Sequence, residues 1–453
     1  MYSPILPHQE DAIEFIKAKR RGCVALEMGL GKTRVVLQAA RELGLGPGGI
    51  IVLCPKTAVG VWGIELKKWW PYDYENGRES VLNVVSYSRL AERLESLLER
   101  RFELLIIDES HRLKNPETKL AGMALANGGL ASCCERVWMV TGTPAPNTWA
   151  DVWLPLYWGG VTALGRMEFE DYFFKVDKIK FWAKRGKAKA KEYIERRIGG
   201  ILPHRREEFG KVFEHFFYYR KGADVYKDFP GVVDETVVVK SKELAWAEYF
   251  PELFVGDESA FDKVVDFEKE IAAEAMAIGD GNVEGLASAT PTLRKQMGLM
   301  KVVGCIGDIR GRLGNEGLDK IVVFAWHLDV IELLRRGLGD FGVCVVVGST
   351  SSGARDRAMR DFQGGGDKRV FIGQIRAAGE SITLTKASTL AFVEKSWVPG
   401  HNLQASFRVR RVGQVASAVH IISYALDDDY DRYIENSIVK KEKALEFVLG
   451  LNA

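Results

Sequence analysis

The stretch Glu27-Met28-Gly29-Leu30-Gly31-Lys32-Thr33 constrains this chain more than any other. It follows the apolar run Cys23–Leu26 and opens the helically spaced segment Thr33–Leu43, so it has to turn a buried strand into a helix within a few residues. Glycines at such a turn let the backbone wrap round a phosphate with its N–H groups pointing inward, and a helix N-terminus favours negative charge. In that arrangement Met28, Gly29, Leu30 and Gly31 line the phosphates, Lys32 reaches the β- and γ-phosphates, and the Thr33 hydroxyl ligates Mg²⁺. The general pattern wants glycine five residues before Gly31, where this chain has Leu26. Taken alone, the loop is therefore also open to reading as a plain strand-to-helix turn.

A second feature removes most of that ambiguity. Leu104-Leu105-Ile106-Ile107 reads as a buried strand, and it ends in Asp108-Glu109-Ser110-His111. A carboxylate at a strand's end beside a phosphate loop is where a Mg²⁺ ligand has to sit. Asp108 fills that role, and Glu109 is placed to orient or deprotonate an attacking water. An isolated acidic pair after a strand would be an ordinary loop; downstream of GLGKT it is a candidate catalytic pair.

Around these motifs, short apolar runs alternate with helical spacing. Cys23–Leu26, Gly49–Cys54, Val81–Ser86, Leu104–Ile107 and Arg136–Val140 read as strands, and Thr33–Leu43, Val59–Trp69, Ser88–Arg100 and Thr118–Ala126 as helices. Such alternation implies a parallel sheet covered on both faces. From about Trp149 to Gly314 helical, charged and aromatic segments dominate, with one strand expected at Glu235–Lys240. Alternation returns at Lys320–Trp326, Val343–Gly348, Arg369–Gly373, Thr389–Glu394 and Val419–Tyr424. The expected fold is α/β: two parallel-sheet domains, 1–150 and 315–453, with a mainly helical insertion at 151–314. The 453 residues suit about three such units.

None of the six cysteines makes a CxxC pair or keeps zinc-ligand spacing with histidine. Buried free thiols and a reducing, intracellular compartment are expected (cytoplasmic, or nuclear in a eukaryote). The N-terminus lacks the pattern of a signal peptide, and no apolar run approaches the ~20 residues of a membrane helix, so no membrane contact is expected.

Further motifs stand in a fixed order: Pro7-His8-Gln9, EMGLGKT, Cys54-Pro55-Lys56 followed by Trp62 and Trp69, DESHRLKN at 108–115, and TGTPAPN at 141–147. In the second half come KIVVFAWH at 320–327, AGESITLTKAST at 378–389 and QASFRVRRVGQ at 404–414. Together they resemble the Swi/Snf-type branch of superfamily 2, especially its compact HepA-related, annealing-helicase-like members. The resemblance covers almost the whole chain and implies two RecA-like domains that use ATP and Mg²⁺. It implies that Gln9 reads adenine with support from Arg34, and that Thr141 and Thr143 couple the ATP site to the nucleic-acid track. Arg408 and Arg411 match arginines of the second domain that reach ATP across a cleft; three apart, they are expected on one helical face. Gln414 would sit beside the γ-phosphate. Phe407 and Arg410 replace an acidic residue and a histidine usual in the family, which touches interdomain coupling rather than the arginines themselves.

The net charge of +2 means that a nucleic-acid surface has to be a local patch. Residues 175–197 hold ten Lys/Arg against three acids, interleaved with Phe181, Trp182 and Tyr193. Lys184, Arg185, Lys187, Lys189 and Lys191 are the densest part; they read as phosphate contacts or, alternatively, as a solvated helix face. The resemblance implies further DNA contacts from Ser86 and Tyr87 and, in the second domain, Ser349 and Thr350. Trp397 is either a packing residue or a contact on the track. The leading expectation is a monomeric ATPase motor moving on double-stranded or forked DNA and directed by a protein targeting partner. The alternatives are a strand-separating DNA or RNA helicase and a non-catalytic ATP-binding scaffold.

Overall fold

The computed structural model describes residues 4–69, 83–183, 191–226, 229–239, 291–378, 382–411, 413–427 and 438. The chain divides into two compact units, Met1–Lys227 and Asp228–Lys440.

In the first unit, β1 (Arg21–Leu26), β2 (Ile50–Cys54), β3 (Asn83–Ser86), β4 (Phe102–Asp108), β5 (Cys134–Thr141) and β8 (Phe217–Arg220) form one sheet in the order β3-β2-β4-β5-β1-β8. Every pairing is parallel. All five residues of β2 are buried, as a strand covered on both faces requires. One face carries α1 (Pro7–Lys17), α2 (Lys32–Glu42) and α3 (Val59–Trp69), whose Ile13, Val36 and Trp62 pack on Val24, Val52 and Ile106. The other face is closed by the helices Leu90–Leu98 and Lys119–Leu125 and by a cluster around Phe169, Phe209 and Phe216.

The second unit repeats the plan. Its strands are β9 (Gly231–Val239), β10 (Ile321–Ala325), β11 (Val343–Val346), β12 (Val370–Gln374), β13 (Thr389–Phe392) and β14 (Ala418–Leu426). They run parallel in the order β11-β12-β10-β13-β14-β9. Every strand expected from the apolar runs is present, with ends moved by a few residues.

The stretch 151–314 is shared between the units. Its helices Trp153–Trp158, Arg166–Phe173 and Arg206–Phe216 pack on the first sheet and β8 extends that sheet, while β9 and the helix Pro291–Gly314 belong with the second. The basic stretch is not a helix. It is an antiparallel hairpin, β6 (Phe174–Ala183) against β7 (Lys191–Ile201), with a bulge near Val176. Ile179 and Phe181 alternate with Lys178 and Lys180, a period-2 pattern of β-branched and aromatic residues that suits a strand. Buried Glu170 takes both Arg166 (3.1 Å) and Arg196 (3.3 Å), and Asp171 takes Arg196 at 2.8 Å, so the hairpin's root is clamped to the helix before it. Lys184, Arg185, Lys187 and Lys189 lie outside the described residues; Lys191 begins β7, opposite Ala183.

Candidate active site

In an open parallel sheet, ligands bind beyond the carboxyl ends of the strands. Three neighbours of the first sheet, β4, β5 and β1, end in Asp108, Thr141 and the 27–33 loop respectively.

The loop has the conformation expected of a phosphate cradle. Gly29 and Gly31 hold φ of +88° and +85°, in the left-handed region that glycine enters without penalty. Gly31 caps α2, and a Cβ there would collide with the Gln9 amide. Lys32 Nζ donates to the carbonyl oxygens of Leu26 (2.9 Å) and Glu27 (3.4 Å), so it folds back over the loop. Its charge also acts on Asp108. The Thr33 hydroxyl and the Asp108 carboxylate are oxygen ligands of the kind a hard divalent cation takes, and backbone N–H groups at a helix N-terminus suit the phosphates bound with it.

Asp108 is held at three points. Trp62 Nε1–H donates to its Oδ2 at 2.9 Å, the Glu109 N–H donates to Oδ1 at 3.0 Å, and the Tyr87 hydroxyl donates to its backbone carbonyl at 2.5 Å. Burial, reinforced by the neighbouring Glu109 charge, pushes the Asp108 carboxyl up to about 6; the Trp62 bond and Lys32 pull the other way. Burial also raises the Tyr87 hydroxyl well above its ordinary value, with Asp108 adding to the effect.

Glu109 has φ of +51°, and no other described non-glycine residue has a positive φ. A side chain in the left-handed region costs of order 1 kcal/mol and persists where the surroundings impose it, often at functional sites. The Glu109 carboxylate lies 3.2 Å from His111 Nδ1, which is also 3.0 Å from Thr141 Oγ1. Thr141 Oγ1 in turn accepts the Thr143 N–H at 3.1 Å. Side chains from the ends of β4 and β5 thus form one chain of contacts from the candidate base to the 141–147 segment. The resemblance named Thr141 and Thr143 but not His111, whose contact spans thirty positions and leaves no local pattern.

Several expected site residues have structural partners in the described geometry. Gln9 Nε2 donates to Leu30 O at 3.1 Å, and its Oε1 accepts the Leu6 N–H at 3.2 Å. His8 Nε2 meets the same Leu30 oxygen at 3.1 Å, and burial lowers the pKa of the ring, which favours a neutral imidazole donating through Nε2–H. Arg34 lies over the Trp69 ring at 4.2 Å and donates to Pro4 O. Glu27, buried just ahead of the glycines, accepts the Gly222 N–H at 2.7 Å, while its own N–H donates to Arg220 O. That carboxylate ties the loop to the segment after β8, a role the sequence did not reveal. Ser86 and Tyr87 are buried, with Ser86 Oγ 3.1 Å from Ser88 Oγ.

In the second unit, the helix Pro399–Ser406 stops before the arginines, so Arg408 and Arg411 sit in the turns after it rather than on a helical face. Phe407, the C-terminal cap of that helix, is buried. The two guanidinium groups still converge: each donates to Ile382 O (3.3 and 3.4 Å), and Arg411 adds Thr383 Oγ1 at 2.8 Å. Burial lowers the Arg411 pKa from its ordinary value. Gln414 Nε2 donates to Ala387 O and Val409 O, and its Oε1 accepts the Ala416 N–H, which braces this turn. Arg410 donates to Pro230 O and stacks on Phe229. Trp397 is partly buried against the core with the Arg294 guanidinium 5.5 Å from its ring centre, and Thr350 Oγ1 accepts the Val347 N–H. Among the described residues no helix is long and apolar enough to cross a membrane.

The SNF2-related domain matches residues 8–250, and the helicase conserved C-terminal domain matches residues 307–413. The DNA annealing helicase and endonuclease ZRANB3 of Mus musculus is 27% identical over 446 residues, covering 91% of this chain and 38% of that protein. The SWI/SNF-related matrix-associated actin-dependent regulator of chromatin subfamily A-like protein 1 of Xenopus tropicalis is 25% identical over 449 residues, covering 94% of this chain and 43% of that protein. The chain therefore spans about two-fifths of the length of these relatives. The Sulfolobus solfataricus SWI2/SNF2 ATPase core in complex with dsDNA aligns over 99% of this chain and 93% of its own, at 20% identity and a TM-score of 0.40.

Proposed function

Because the chain belongs to the SNF2-related family, we propose that it is an ATP-hydrolysing, helicase-like motor that translocates on double-stranded or forked DNA. The observation that carries this reading is the gathering of the 27–33 loop, Asp108–Glu109 and Thr141–Thr143 on the carboxyl ends of three neighbouring strands.

Each side chain then has a task. The loop amides and Lys32 hold the phosphates of ATP, and Thr33 and Asp108 hold Mg²⁺. When bound, the metal neutralises charge on the phosphates and fixes their geometry. Glu109 orients the attacking water and takes its proton, and the strained backbone at 109 keeps that carboxylate beside His111. Through His111, a change at Glu109 is felt at Thr141 and Thr143. Gln9 reads adenine with Arg34, Arg408 and Arg411 supply charge to the transferring phosphoryl group, and Gln414 supports that group. ATP-handling parts thus lie within 1–150 and 315–453, while 151–314 brings the basic hairpin that contacts DNA phosphates. Lys184, Arg185, Lys187, Lys189 and Lys191 grip the backbone without reading sequence. Ser86, Tyr87 and Trp397 complete the track, Ser86 and Tyr87 through backbone groups because their side chains are buried. The motor works intracellularly as a monomer brought to its site by a partner protein.

ATP hydrolysis measured with duplex, forked and single-stranded DNA and with RNA tests this reading. Duplex or forked DNA is expected to stimulate most; stimulation by RNA alone would favour an RNA helicase, and no hydrolysis with any of them would leave a binding scaffold.

A further inference from the structure

Trp62 lies on α3, far in sequence from every residue assigned to the site, and is about 1% exposed. An indole has a single donor and no acceptor. Buried polar groups need partners, and this one finds Asp108 Oδ2 at 2.9 Å, across forty-six positions of chain. The other carboxylate oxygen already takes the Glu109 N–H, and the backbone carbonyl takes Tyr87. The Trp62 and Glu109 N–H groups thus hold one carboxylate oxygen each, and Tyr87 holds the backbone that carries them. Each carboxylate oxygen has two lone-pair sites, so one hydrogen bond on each does not exhaust its capacity to bind a cation.

We propose that Trp62 is a positioning residue of the metal–nucleotide site. Its N–H holds Asp108 in the orientation that receives the divalent cation. The inference rests on the assignment of Asp108 as a metal ligand made above. Burial works against a charged carboxylate here, and the indole N–H is among the groups that offset it. Without that bond the Glu109 N–H alone restrains the Asp108 carboxylate, and the cation meets a group that is less well ordered. Partners behind a metal ligand typically carry about 10–100-fold in metal affinity. Leu66, one turn further along α3 and also buried, packs in the same core without a contact to Asp108 among those described.

The test compares Trp62→Phe, which keeps an aromatic ring and removes the donor, with Leu66→Ala as a packing control and Asp108→Asn as a control on the site itself. Mn²⁺ retention in the presence of ADP is read from the free-Mn²⁺ electron paramagnetic resonance signal. Binding of metal-free ATP in EDTA is measured in parallel, and thermal unfolding reports the fold. Trp62→Phe is expected to weaken Mn²⁺·ADP binding by roughly 10-fold or more, to leave metal-free ATP binding within about twofold, and to raise the Mg²⁺ concentration for half-maximal hydrolysis. Leu66→Ala, even if it melts lower, is expected to hold Mn²⁺·ADP like the parent. Undiminished Mn²⁺ binding by Trp62→Phe would overturn the proposal, as would an equal loss in Leu66→Ala. If Asp108→Asn also retained Mn²⁺, the metal-ligand assignment itself would fall, an outcome distinct from failure of Trp62 alone.

Discussion

Replacing Asp108 by asparagine should separate stability from turnover in opposite directions. Burial and the Glu109 charge raise the Asp108 carboxyl from 3.8 to about 6. At neutral pH the folded protein therefore carries a charge that it holds less well than the unfolded chain does. About two pH units at 1.36 kcal/mol each come to about 3 kcal/mol. Asparagine removes that cost, and its carbonyl can still accept the Trp62 N–H. Its NH₂ group then faces the Glu109 N–H that Oδ1 had accepted, and losing that bond costs about 1 kcal/mol. The net gain is about 2 kcal/mol, or roughly 4–8 °C in the melting temperature of a unit this size. The sign with pH follows from a raised pKa. The wild-type carboxyl contributes fully below its unfolded pKa, and that contribution is lost as pH rises through the folded value. The gap between variant and wild type should thus be large at pH 7.5 and shrink as pH falls toward 4. Calorimetric scans without nucleotide measure it, alongside ATP turnover, which should vanish. An unchanged or lower melting temperature at pH 7.5, or a gap that does not shrink on acidification, would refute the reasoning.

Other consequences are simpler to state. Lys32→Ala should abolish turnover while duplex binding stays within a few-fold, as a gel-shift titration would read. His111→Ala cuts the link between Glu109 and Thr141; kcat and its stimulation by DNA should fall by about 10–100-fold with little change in KM for ATP. Arg411→Ala should reduce DNA-stimulated hydrolysis by about 10³ or more, and full retention would remove it from the transition state. Changing Lys184, Arg185, Lys187 and Lys189 to glutamate should weaken duplex binding, and the slope of log affinity against log salt should flatten by about 0.9 for each phosphate that is no longer neutralised.

The strands were readable because those of a doubly covered parallel sheet are plain apolar runs, bounded by glycine or charge, as at Ile50–Cys54 and Ile321–Ala325. The edge strand β8 was not, because Phe217–Arg220 follows the amphipathic helix Arg206–Phe216 directly and its length alone does not separate it. The hairpin was not legible because its density of lysines and arginines suits a solvated helix as well as a strand. In the candidate site, the placement of Lys32, Thr33, Asp108 and Glu109 just beyond strand ends was legible from the apolar runs that precede them. Their supports were not. Trp62, Tyr87, His111 and Glu27 act through contacts that span from two to nearly two hundred positions, and nothing local to a tryptophan in a helix marks it as a carboxylate's partner. The converse error has the same origin. Spacing alone gives Arg408 and Arg411 a helical face, whereas the helix ends at Ser406 and both lie in the turns that follow.

The central claim, movement along duplex DNA driven by ATP, is tested most directly by displacement of a third strand from a triplex set within a long duplex. Release of that strand with ATP, and no release with Lys32→Ala or a non-hydrolysable analogue, is the predicted result. Rapid DNA-stimulated hydrolysis that leaves the triplex in place, or release that needs no ATP, would contradict it.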